Sequence, residues 1–192
     1  MMLKNTFANL AKNFSDNSKL TEELWLEIEV NHTHRKRFYH TVSHLENLWI
    51  QIEEVKSEIT DWNTILFTLF YHDVIYNALK NDTEARSADF ARLSLEKLNV
   101  PENLIQKCVL QILATKTHLL NTDSDTNFFL DANLSILGSD WKQYLNYTQH
   151  IRKEYAIYPD LIYNPGRRKV LQHFLTMKRI FKTDFFFHKF EK

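Results

Sequence analysis

Glycine and proline are scarce: 192 residues contain two glycines and three prolines. A many-stranded sheet needs turn residues at each reversal, so this scarcity excludes most all-β architectures. One cysteine, Cys108, excludes an internal disulfide, and its apolar setting (CVLQIL) reads as a buried structural thiol. Charge of one sign is missing too, with 24 basic against 24 acidic side chains. That balance speaks against long nucleic acid as a partner, although a local basic patch can still hold a phosphate. No run approaches the ~20 apolar residues of a membrane span. The opening MMLKNTFANLAKNF has no continuous apolar stretch of the signal-peptide kind. The expectation is a single domain over residues 1–192, in a reducing cytoplasm, with no membrane partner.

What the chain has is rings and helical period. Fourteen phenylalanines, eight tyrosines and four tryptophans imply an aromatic core, and the long periodic segments imply an all-α bundle. Residues 21–34 read as a helix capped by Thr21, and another begins near Thr41 with Leu45, Leu48, Ile52 and Val55 on one face. Asp61 caps WNTILFTLFYHDVIY, apolar nearly all round and so expected at the centre. Further helices are expected over 82–98, from Pro101 to about His118, and through FFLDANLSILG up to Gly138. A long helix follows Asp140; then comes a loop with Pro159, Pro165 and Gly166, a last helix through Val170 and Phe174, and an aromatic tail at about 180–192. That tail either docks on the domain or serves a partner, a homodimer being one option.

Two carboxylates interrupt apolar runs. Asp73 follows His72 inside the central segment, and Asp131 breaks FFLDANLSIL. A buried carboxylate without a partner costs several kcal/mol, so each needs a cation, a proton or a metal. A hydrogen-bonded pair is the plain reading of His72-Asp73 alone. With His44 at the border of its helix's apolar face, two histidines and two carboxylates form a mixed nitrogen and oxygen set. Such a set suits one divalent ion among manganese, magnesium, iron, nickel, cobalt and zinc. Basic residues for a phosphate are Arg37 in RKR, Lys116, Arg152 in HIRKEY and the RRK stretch at 167–169.

His44, His72-Asp73 and Asp131 reproduce the H…HD…D pattern, and the chain resembles the HD-domain superfamily of metal-dependent phosphohydrolases. YHTVSHLENL, FYHDVIYN, NDTEARSA, ILATKTH, FFLDANLSILG, HIRKEY and GRRKVL extend the resemblance, to a branch of small bacterial predicted HD phosphohydrolases, over about residues 21–180. It implies His44, His72, Asp73 and Asp131 as metal ligands and His40 as proton donor to the leaving oxygen, a role that suits a side chain titrating near neutrality. Thr41 departs from the asparagine usual after that histidine. Glu84 is implied as a carboxylate orienting the attacking water, alongside a capping-box role for Asn81 to Glu84. His118 alone stands where binuclear members add histidines, so one metal is favoured, with His118 left to substrate or to a helix end. The activity implied is hydrolysis of a small phosphate ester, a nucleotide above all, by metal-activated water. A non-catalytic metal or nucleotide sensor and a helical interaction domain stay open beside it.

Overall fold

The computed structural model describes residues 2–191, and among these every regular element is a helix. Ten α-helices run in order: α1 Met2–Ala11, α2 Ser18–His32, α3 Val42–Glu54, α4 Trp62–Tyr71, α5 Thr83–Lys97, α6 Glu102–Ala114, α7 Ser124–Leu134, α8 Trp141–Glu154, α9 Asp160–Thr176 and α10 Asp184–Phe190. A 3-10 turn, Ser135–Gly138, extends α7. None of these helices is long and apolar enough to cross a membrane.

α4 is the axis of the bundle because its sequence is apolar on every side. Asp61 caps it through the N–H of Thr64, and all eight residues from Thr64 to Tyr71 are buried. Full burial of a Phe or Leu side chain contributes about 1.5–3 kcal/mol, so this helix alone anchors the core. α1, α3, α5, α6 and α7 pack around it. Cys108 lies buried on α6 beside Thr68, and burial pushes its thiol up to about 12, as a structural thiol requires.

Three expectations are corrected here, and one helix is added to them. The N-terminal segment, for which no element was expected, is a helix: Leu3, Phe7, Leu10 and Ala11 are buried, and the Phe7 ring meets Phe70 edge-on at 5.2 Å. α2 starts at Ser18 with Asn17 as its cap, so Thr21 is inside the helix. α4 ends at Tyr71, which places His72 and Asp73 at its C-terminal exit rather than within it. α9 begins at Asp160 and continues through Pro165 and Gly166, where a loop was expected. Proline there costs the helix one backbone hydrogen bond, since it has no N–H to donate.

The aromatic tail docks on its own domain. Phe181 and Phe186 are buried, and Glu191 Oε2 accepts from the N–H groups of Ile180 and Phe181. Phe190 closes over Gly138 so tightly that a Cβ built on that glycine would overlap Phe190's own Cβ.

Candidate metal centre

His44 stands one turn into α3, and its imidazole is buried with 5 % exposure. His72 stands at the exit of α4, fully buried. Asp73 follows where the backbone leaves the helix. Their ligand atoms converge: His44 Nε2 to His72 Nε2 is 3.2 Å, His72 Nε2 to Asp73 Oδ2 is 3.1 Å, and His44 Nε2 to Asp73 Oδ2 is 3.8 Å. Among the described residues these three form a group able to hold a metal ion.

The donor chemistry tests whether a cation fits. His72 Nδ1 lies 3.0 Å from the Leu69 carbonyl, which can only accept, so Nδ1 carries the proton. In the neutral ring Nε2 is then a bare lone pair, facing a carboxylate oxygen and a second imidazole nitrogen. Burial and the neighbouring His72 and His40 hold the His44 imidazole well below its ordinary range, so it is neutral. Two imidazole nitrogens and a carboxylate oxygen converging on one point are held together in one of two ways: by a proton, with His44 Nε2 donating to His72 Nε2 at 3.2 Å, or by a shared cation that takes the proton's place. A backbone carbonyl fixing the far nitrogen is also how metal-bound histidines are usually oriented. The separations resemble the ~3 Å between adjacent ligands that sit about 2.1 Å from a shared ion. The residues fit a divalent metal.

Arg37 builds this site without entering the cavity beside it. Its Nη1 donates to the carbonyls of His40 at 3.1 Å and Asp73 at 2.7 Å, and Nη2 donates to Val74 at 2.8 Å. The guanidinium thereby clamps the loop before α3 to the turn after α4, and it is a buried structural residue instead of the expected substrate contact. Arg37→Ala leaves three buried carbonyls without their donor; the expected loss is about 2–4 kcal/mol, read by urea unfolding with unchanged m-value. A loss under about 0.5 kcal/mol would remove the clamp assignment.

His40 reaches the group from the side, with Nε2 3.9 Å from Asp73 Oδ2. Its orientation comes from Glu154, a residue the sequence reading passed over. Glu154 Oε1 accepts from the backbone N–H groups of Phe38, Tyr39 and His40, and Oε2 accepts from His40 Nδ1 at 2.7 Å and the Tyr76 hydroxyl at 2.9 Å. Burial would raise this carboxyl, but the His40 contact and the backbone donors outweigh it and hold it at about 2. Tyr76 stacks on the His40 ring at 4.1 Å. Helical period contained the signal: Glu154 lies seven residues after Tyr147 and three after buried Ile151, on the inward face of α8.

The α7 contribution differs from expectation. Asp131 is fully buried, yet its carboxylate is occupied by the tail: Oδ1 accepts from the N–H of Lys182, and Oδ2 accepts from the N–H and hydroxyl of Thr183. The ammonium of Lys182 stands 3.6 Å from Oδ1. Asp131 is therefore not in the metal group. The polar α7 residue lining the cavity with His44 and Asp73 is Asn133, with Leu134 beside it. Phe129, whose ring meets His72 at 5.4 Å, marks the inward face, and Asn133 is one turn beyond it. At 100° per residue, Asp131 points about 200° from Asn133.

A cavity of about 650 Å³ opens over the group, lined by His40, His44, Asp73, Glu84, Lys80, Lys116, His118 and Arg167 among others. Glu84 lies in the first turn of α5, whose cap position is Asp82, so the capping box from Asn81 is not formed. Lys116 donates to the Asn81 carbonyl at 2.8 Å. His118 adopts φ 51°, the left-handed region, and its buried Nδ1 has no partner among the described residues. Burial pushes its imidazole down to about 3. Arg152, expected at the substrate, instead binds Asp160 and the carbonyls of Tyr155 and Tyr158, pinning the α8–α9 loop. Comparison with known proteins returned no match: no family model fits the chain, and no curated protein or solved structure is significantly similar to it.

Proposed function

We propose that this chain is a metal-dependent phosphohydrolase of the HD-domain type, acting on a small phosphate ester such as a nucleotide. The observation that carries this reading is the convergence of His44, His72 and Asp73 at one cavity wall, with His40 alongside. A divalent ion held by those three supplies positive charge to a phosphoryl oxygen and a water of lowered pKa. The protein's own groups do the rest. Lys80, Lys116 and Arg167 offset the charge of the bound ester. As water oxygen bonds to phosphorus and the ester P–O bond breaks, His40 Nε2 delivers its proton to the departing alcohol oxygen. Glu84 faces the same cavity and accepts a hydrogen bond from the attacking water. Products are the alcohol and phosphate.

A second reading, a sensor that binds metal and ligand without turnover, is favoured by one feature. The polar α7 residue on the cavity is the neutral Asn133, and the group has one carboxylate, Asp73. Titrating metal-stripped protein with manganese separates the readings from a purely structural cluster. At a hundred times its dissociation constant the ion adds about 2.7 kcal/mol, or roughly 5–10 °C in unfolding temperature, and Asp73→Asn and His44→Ala abolish the shift. Hydrolysis of p-nitrophenyl phosphate by the loaded protein then marks the enzyme; a shift without turnover of any ester marks the sensor. No shift with manganese, magnesium, iron, nickel, cobalt or zinc leaves a helical interaction domain.

A further inference from the structure

α9 is seventeen residues long and none of them is buried. Its inward stripe, Tyr163, Arg167, Leu171 and Phe174, is only half-buried, so it is held less firmly than a core helix, because helices in water depend on packing. Yet its inner face is apolar and aimed. Tyr163, Val170 and Phe174 line the cavity at helical spacing, with Ile162 58 % exposed and Val170 46 % exposed. Opposite them, α8 and its following loop present Tyr155 and Tyr158. The Tyr155 ring lies 5.9 Å from Tyr163 and 6.3 Å from Tyr158. Two arginines fix this chamber. Arg152 lies over the Tyr163 ring at 4.7 Å, and Arg167 donates to the Tyr147 hydroxyl at 2.8 Å.

Tyr39 and Tyr76 are engaged around His40, whereas Tyr155, Tyr158 and Tyr163 are half-buried rings on the cavity wall, with Arg152 covering one face of Tyr163. The lysines lie elsewhere on the wall, on the segments around Lys80 and Lys116. The cavity joins basic, aromatic and aliphatic walls, the last from Leu134, Ile136, Leu137, Ile151, Ile162 and Val170. Ring faces with hydroxyl rims and aliphatic neighbours suit a flat, polar-edged ring, whereas a bare sugar or polyphosphate wants more donors and charge.

We propose that the chamber between α8 and α9 is the recognition subsite for a heteroaromatic ring carried by the substrate's alcohol portion, and that this ring completes the burial of α9's half-buried stripe. The inference rests on the phosphohydrolase reading for the phosphate end. Specificity then resides in Tyr155, Tyr158 and Tyr163, and α9 closes on the ring.

The test uses full-length manganese-loaded protein carrying His40→Ala to slow turnover, with the 5′-monophosphates of adenosine, guanosine, cytidine and uridine set against ribose 5-phosphate. At least one nucleotide should bind about tenfold or more tighter than ribose 5-phosphate and slow amide exchange across Asp160–Thr176 by a similar factor. Tyr163→Ala, at a partly exposed position, removes the preference and leaves ribose 5-phosphate affinity unchanged. Equal affinity for all five esters, or unchanged α9 exchange at saturation, overturns the subsite. The two proposals fail separately. Hydrolysis of all five by the wild type with equal kcat/KM keeps the hydrolase and discards the subsite. Protection of α9 by a free nucleoside in protein that binds no metal keeps the subsite and discards the hydrolase.

Discussion

Asp131→Ala is expected to destabilise the fold by about 3–5 kcal/mol while leaving metal binding intact. The carboxylate holds two backbone N–H groups and a hydroxyl of the tail, and it faces the ammonium of Lys182. Removing one partner of a buried charged pair leaves the other uncompensated, which is the costly case. The tail carries Phe181 and Phe186 into the core, so its release exposes rings as well. Unfolding temperature should fall by roughly 10 °C, at ~2–4 °C per kcal/mol for a chain of this size. The manganese increment should match that of the wild type, because Asp131 faces away from the metal group. If the variant keeps its stability and loses the increment, the orientation of α7 described above is wrong and Asp131 is a ligand.

His40→Ala is expected to lower kcat about 10²–10⁴-fold with metal affinity retained, the range typical of losing a general acid. Glu154→Gln should show a smaller loss and a displaced pH profile of kcat, because an amide cannot balance a protonated imidazole. KM should change little in either, since His40 acts on the leaving oxygen and Glu154 acts only through His40. Glu154 also has a signature without substrate. Its carboxyl is held at about 2 in the fold against an ordinary 4.5. A depressed carboxylate contributes stability that is complete above about 4.5 and is lost as pH falls through about 2. Glu154→Gln should flatten that part of the stability curve. An unchanged kcat in His40→Ala, with the loaded enzyme active, would sink the proton-donor role; an unchanged acid limb would sink the Glu154 assignment.

The all-helical fold was legible because its signals are local. The run from Trp62 to Tyr71 is apolar on every face, and the caps Asp61 and Asp140 each accept the backbone N–H that cap chemistry assigns them. His44, His72 and Asp73 were legible because two are adjacent in sequence and the third borders an apolar face. α1 was missed although Leu3, Phe7, Leu10 and Ala11 have helical spacing, since no cap and no acidic first turn announce it. On α7 the reading went to the charged residue, and burial alone could not say which side of the helix it was buried on. Only the tail's docking reveals that Asp131 has its partners there. Arg37 and Arg152 were misread for a related reason. A guanidinium that organises loop carbonyls looks, in sequence, like one waiting for phosphate.

Gly138 has a consequence for how this sequence can drift. It is not held by a left-handed backbone, since no glycine among the described residues has positive φ. Its constraint is the Phe190 side chain, which occupies the volume where a Cβ would stand and stacks with Phe181 and Phe186. A methyl group at 138 would overlap the Cβ that every residue except glycine carries at 190, so shrinking the ring there makes no room for it and leaves a void under the tail. The close approach is between the 3-10 turn and α10 themselves, so position 138 stays glycine for as long as the tail docks here.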